Sequence, residues 1–276
     1  MSVMEKNRQH YIPRFYLELF TDPKTPINYD PYVWVLDKKK YSIKNKAPRN
    51  IAFQNGYNNI IDENGKVSKI VEDEFGKIET KASKIIKKLI NIEYINRSER
   101  LELGKFIYTM RARTPYFRYT FKEVVESKEY ISQFDKYIGD KDISPDLAMD
   151  SVIRTGNLIS HYLLKMNWSL LIAPNEGYFI TSDNPVVVLD PEAPKLRFCG
   201  FANSEETKII FPLSPKVCLY GCWKKKRIVE YLNKNSVDEL NFEIFKYSYN
   251  YLYSSMEYFD ESILMVNMAV NKGLIK

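Results

Sequence analysis

Four short stretches hold residues whose types and spacing could do chemistry, and the first is QHYIPRFYLELF, Gln9 to Phe20. His10 there is one of two histidines in 276 residues. Imidazole is the side chain that titrates nearest neutral pH, so a rare one marks a place to look for an acid or base. Pro13 restricts Ile12 and suits the first turn of a helix, which predicts a helix start just after His10. The N–H groups of such a start favour anions. Arg14 in that turn would add a guanidinium able to grip phosphate or carboxylate with two parallel hydrogen bonds. The plainer alternative has His10 bonding a carbonyl and Arg14 an acid.

FITSDNPVV ends a β-rich run in short polar residues, where sites are often built. Asp183 there would be a metal ligand, a general base or the group that orients His10, with Thr181 and Ser182 touching substrate. The same residues also make a tight turn, because Asp and Asn bond their own backbone and Pro185 sets the exit. Ser182 is no nucleophile elbow, since the flanking glycines are missing. RARTPYFR contributes Arg111, Arg113 and Arg118, either a phosphate-binding surface or partners for the acids of 72–79. VEDEFGKIETK carries Glu72, Asp73, Glu74 and Glu79. Glu79 with Asp183 would form an oxygen-rich site suited to magnesium; the alternative is a solvated rim along a buried helix face.

The elements that must position these groups are legible from periodicity. Val71, Phe75, Ile78, Ala82, Ile85 and Leu89 recur at the spacing of one buried stripe, which predicts a helix over 68–91. Ser98 would cap the next helix, which runs toward Pro115 and must kink or end there. A helix is predicted from Pro145 to Trp168. VWVLDKKKYSI reads as a strand leading into a short hairpin. After about residue 167 the runs SLLIAP, GYFITSD, PVVVLD, KIIFPL and KVCLYGCW predict a compact, mainly antiparallel sheet. SVDELNFEIFKYSYNYLYSS reads as helix again. The expected fold is α+β, helix-rich over 1–167 and sheet-rich over 168–276, as a single elaborated domain.

Composition narrows the classes. A hydrophobic content of 45% can furnish a large core, and the longest apolar runs fall short of a membrane span. The N-terminus lacks the pattern of a secretory leader and the three cysteines make no disulfide framework, so the expected location is the cytoplasm. Net charge is +6, compatible with a nucleic acid or nucleotide partner and equally with mere solubility. No phosphate-binding glycine loop of the ATPase or dinucleotide type occurs. The basic run WKKKR at 223–227 reads best as a solvated hairpin.

QHYIPRFYLELF, RARTPYFR, FITSDNPVV and FPLSP, in this order and separation, resemble the bacterial family named domain of unknown function 4238, over nearly the whole chain. That family has no agreed activity. Some relatives are single-gene anti-phage defence proteins, so the resemblance implies a bacterial, cytoplasmic, defence-type effector. The expectation that follows is a phosphate-bearing substrate, nucleic acid or nucleotide, handled by His10, Glu79 and Asp183 with Arg14, Arg111, Arg113, Thr181 and Ser182 as contacts. The reaction class is a nuclease or other phosphoester hydrolase. RTGNLISH, Arg154 to His161, resembles in its spacing the signature of HEPN ribonucleases, which implies metal-independent RNA cleavage as an alternative. A non-catalytic sensor or interaction module is the other alternative.

Overall fold

The structure, a computed structural model, describes residues 8–61, 67–68, 70–119, 145–190, 205–224 and 227–274, with backbone alone at 60–61, 67–68, 70 and 145–154. The Asn64-Gly65 pair, a turn signal in the sequence, lies outside the described residues, as do Cys199 and the middle of WKKKR.

Among the described residues three long helices precede the larger sheet. The stripe on α2 (Ile70–Ile90) is buried as its spacing demands, with Val71, Phe75, Ala82, Ile85, Ile86 and Leu89 inside. Helix α3 (Arg97–Ala112) starts two residues earlier than a Ser98 cap would place it. Asn96 Oδ1 accepts the Glu99 N–H at 3.0 Å, and the Glu99 carboxylate accepts the Asn96 N–H at 2.9 Å, a reciprocal pair that Ser98 could not form. Helix α4 (Pro145–Lys165) packs along α3. They come close at Gly104, where a Cβ would stand 3.2 Å from both Cα and Cβ of Ser160. Because one of those atoms is backbone, Gly104→Ala must push the helices apart. We expect a net loss of about 1 kcal/mol after the helix-propensity gain of alanine, read from urea unfolding.

The strands form two larger sheets. One has the order β12-β7-β11-β10-β9, from Val229–Tyr231, Asn167–Ile172, Val217–Cys222, Lys208–Pro212 and Val187–Leu189. Its pairings are antiparallel except that of β12 with β7. The other has the order β3-β2-β13-β8, from Ser42–Lys46, Val33–Asp37, Tyr251–Ser254 and Thr181–Ser182, all antiparallel. The fold is therefore α+β, and its early hairpin belongs to the same sheet as two late strands. Residues 251–254, expected as helix, are strand β13. The helix there, α5 (Lys234–Tyr247), stops before them, and YLYS pairs with β2 and β8 instead.

Alternation along these strands feeds two cores. Leu170, Ile209, Phe211, Val217 and Leu219 join Val33, Val35 and Tyr253 against α1 (Arg14–Glu18) and the three long helices. Leu171, Ile210 and Cys218 join Leu36 and Leu252 against α5 and the last helix, α6 (Glu261–Asn271). Neighbouring residues of one strand thus enter opposite clusters, as the two-residue period of a strand requires. Tyr16 of α1 links the two sheets: its hydroxyl donates to the Pro212 carbonyl at 2.7 Å and accepts from Thr181 Oγ1 at 2.8 Å.

Candidate functional site

Strand β1 (Arg8–His10) pairs antiparallel with β4 (Phe53–Asn55), which sets His10 opposite Phe53. The two rings lie 5.7 Å apart and tilted. A 3₁₀ turn at Pro48–Asn50 places the Pro48 and Arg49 carbonyls near the imidazole. Burial pushes the imidazole below its usual range; the Pro48 carbonyl and Glu79 oppose that, and Arg113 reinforces it. His10 is thus held neutral at physiological pH. Its Nε2 is buried and has no hydrogen-bond partner.

Arg113 comes to the same place from the end of α3. The helix stops at Ala112, and Arg113 leaves helical geometry at φ −92°, ψ 1°. The residue as a whole is 2% exposed. Nη1 donates to Glu79 Oε1 at 2.7 Å, and the guanidinium stands 5.1 Å from the Phe75 ring centre. Nε and Nη2 have no partner among the described residues. Buried donors are nearly always satisfied, so two open ones on one cation call for an acceptor.

Tyr57 completes the cluster. Arg118 lies 3.5 Å over its ring and donates to the Tyr57 carbonyl and to Asn58 Oδ1 at 2.8 and 3.1 Å. Asn58 Nδ2 donates to Glu72 Oε2 at 3.0 Å, and Gln9 accepts the Asn58 N–H. Burial raises the Tyr57 phenol to about 12 against the pull of Arg118 and Arg113, so it remains a donor. Its hydroxyl is also buried without a partner. The imidazole and the phenol each lie within electrostatic reach of the Arg113 guanidinium with its two open N–H groups, and Glu79 and Glu72 beside them are half-buried. Chemically, this set can grip an oxyanion and move a proton beside it.

Asp183 is placed differently. Oδ1 accepts the Tyr249 N–H at 2.8 Å, and Oδ2 accepts those of Asn250 and Tyr251 at 2.6 and 3.1 Å. Asn184 Nδ2 donates to the Tyr247 carbonyl at 2.9 Å. Lys38 Nζ donates to the carbonyls of Phe245 and Ser248 and to the Ser248 hydroxyl. The motif thus ties the exit of α5 to the start of β13. Burial lifts the Asp183 carboxyl to about 6, against the three amides and Lys38.

Residues 8–257 match the family described as "Protein of unknown function (DUF4238)". The chain belongs to that family. No curated protein and no solved structure matches it. The matched span of this DUF4238 chain contains both the His10 cluster and the Asp183 turn.

Several residues expected at one site lie elsewhere. Arg14 is exposed and pairs with Glu18 at 2.7 Å, and α1 has only five residues, so the expected anion nest beside His10 is not formed. The helix break at Arg113 parts Arg111 from the other two arginines of RARTPYFR, since Arg113 and Arg118 both act on Tyr57. Arg111 is half-buried among Tyr108, Tyr116, Tyr247 and Asp190, away from the cluster. Thr181 and Ser182 are fully buried: Thr181 bonds Tyr16, and Ser182 bonds the Asn184 backbone, so neither offers a substrate contact. Glu79 and Asp183 serve Arg113 and backbone amides respectively, which corrects their pairing around magnesium. Among the described residues no group of three His, Cys, Asp or Glu is placed to hold a metal. His161 is exposed, with Nδ1 2.7 Å from the Asn157 carbonyl; the Arg154 side chain lies outside the described residues.

Sequence reasoning missed Tyr57, Asn58 and Gln9. Nothing periodic in the stretch NGYNNII marks a buried phenol. The overlooked signal is the aromatic residue between Gly56 and two asparagines, since Gly56 has φ +64° and turns the chain back toward β1. No described helix is long and apolar enough to cross a membrane.

Proposed function

We propose that the His10–Glu79–Arg113–Tyr57 cluster binds a phosphate group of a nucleic acid or nucleotide and that His10 acts on it as acid and base. The observation that carries the reading is the buried Arg113, whose guanidinium has two N–H groups open beside an imidazole whose Nε2 is open too. In phosphoester hydrolysis the neutral imidazole would take a proton from the attacking water as the new P–O bond forms. It would return that proton to the leaving oxygen as the old P–O bond breaks. Arg113 and Tyr57 would face the charge gathering on the other oxygens, and Glu79 would fix the guanidinium. A bacterial, cytoplasmic, defence-type role is the context that the resemblance to anti-phage relatives supports.

The test is hydrolysis of single- and double-stranded nucleic acids and of nucleotides, with and without magnesium. We expect His10→Ala to lower the rate about a hundredfold. Wild-type activity should fall on acidification, as the imidazole takes up its proton below its ordinary pKa of 6.5. Equal rates in wild type and His10→Ala would remove His10 from the reaction. A second reading, binding without turnover, is favoured by one observation: Glu79 and Asp183 are already engaged by Arg113 and by backbone amides. It predicts ligand binding that Arg113→Met abolishes and no cleavage by any variant.

A further inference from the structure

We propose a second anion site at the opposite end of α3, built to take a nucleoside phosphate. Tyr94, Ile95, Arg97, Arg100, Leu164 and Lys165 line a pocket of about 390 Å³ between the start of α3 and the end of α4. Volumes of this size hold small ligands. Three of the six lining residues are cations and none is an acid. The nearest acids in sequence are engaged elsewhere. Glu99 accepts Lys88 at 2.6 Å and closes the α3 cap, and Glu93 accepts the Asn91 amide at 3.1 Å.

Arg100 is the most constrained of the three cations. Nη2 donates to the Met166 carbonyl at 2.9 Å, and the guanidinium lies 4.6 Å over the Trp168 ring. Its Nε is buried with no partner. A carbonyl on one side and an indole face on the other fix the group without neutralising it, so its charge is available to a ligand. Tyr94 stands close enough to Arg100 to feel its charge, yet is 85% exposed. An exposed ring beside clustered cations offers a stacking face for a base and a seat for its phosphate. Base on Tyr94 and phosphate among Arg97, Arg100 and Lys165 is therefore the chemistry this pocket selects. A free nucleotide and a single strand of nucleic acid share it. From Arg97 to Arg113 the helix rises about 24 Å, so this site is separate from the His10 cluster.

The test titrates the intact protein with adenosine 5′-monophosphate, inorganic phosphate and a fluorescein-labelled oligothymidylate. The monophosphate should bind about tenfold more tightly than phosphate, and Tyr94→Ala should erase that difference. Lys165→Gln and Arg100→Gln should weaken both ligands. Tyr94 and Lys165 are exposed, so their variants keep the test valid if Arg100→Gln unfolds. Oligothymidylate binding tighter than the monophosphate assigns the site to a strand; weaker binding assigns it to free nucleotide. The titrations are repeated in the Arg113→Met background, where the His10 cluster no longer takes an oxyanion. Saturable binding there that still depends on Tyr94 and Lys165 separates this site from the proposed hydrolysis; its loss there assigns the binding to the cluster and overturns the proposal. Wild-type affinity in both Tyr94→Ala and Lys165→Gln, or no saturation by either nucleotide probe at about 10 mM, overturns the proposal.

Discussion

Asp183→Ala should lower the unfolding free energy by about 4 kcal/mol. The carboxylate collects three successive backbone N–H groups, from Tyr249, Asn250 and Tyr251. Removing it leaves donors without an acceptor where the chain turns from α5 into β13, and each orphaned buried donor costs about 1–3 kcal/mol. Lys38, already held below its usual range by burial, would lose the nearby charge that opposes this shift. Asp183→Asn should cost roughly half as much. An amide oxygen at the Oδ2 position keeps Asn250 and Tyr251, and only Tyr249 then faces an NH₂ group. Urea unfolding of the three proteins reads the order directly. A loss below about 1 kcal/mol for the alanine variant would show that the turn holds without the carboxylate.

The second large effect concerns the Arg113–Glu79 pair, whose two members are unequal. Arg113 has 3% of its side chain exposed and Glu79 28%. Glu79→Ala strands a guanidinium inside the protein, and an uncompensated buried charge costs about 3 kcal/mol or more. Arg113→Met leaves a carboxylate that water can reach, and methionine can occupy the space against Phe75, so about 1 kcal/mol is expected. Adding Arg113→Met to Glu79→Ala should then restore most of the stability while abolishing oxyanion binding at the cluster. If Arg113→Met proved the more damaging single change, the charge would not be the source of the cost.

How far the sequence carries depends on whether a signal is local. The α2 stripe was legible because a six-residue apolar pattern at helical spacing allows one geometry, and every member except the half-buried Ile78 is fully inside. Strand β13 was not. YLYSS follows a helical run without a proline or glycine to mark the change, and the group that holds the chain beyond the helix end is Asp183, some 66 residues earlier, accepting the Tyr249 amide. The early hairpin was legible as a hairpin, but its place beside late strands was not, because pairing partners leave no trace in spacing.

The candidate site divides along the same line. His10 and Arg113 stood out as residue types, and Arg113 differs from Arg111 only in where α3 ends. That end was readable from Pro115, but the direction each guanidinium takes after it was not. Asp183 attracted attention as a polar residue after a β-rich run, a pattern that catalytic carboxylates and turn-closing carboxylates share. Which of the two applies is decided by three amides on a distant loop.

Strand β3 (Ser42–Lys46) borders the four-stranded sheet and carries Lys44 and Lys46 among its exposed residues. An open sheet border presents unpaired amides and carbonyls that invite another chain to zip on, and closely spaced ammonium groups repel a second copy bearing the same residues. Self-association through that border, whether orderly or as aggregate, is thereby opposed.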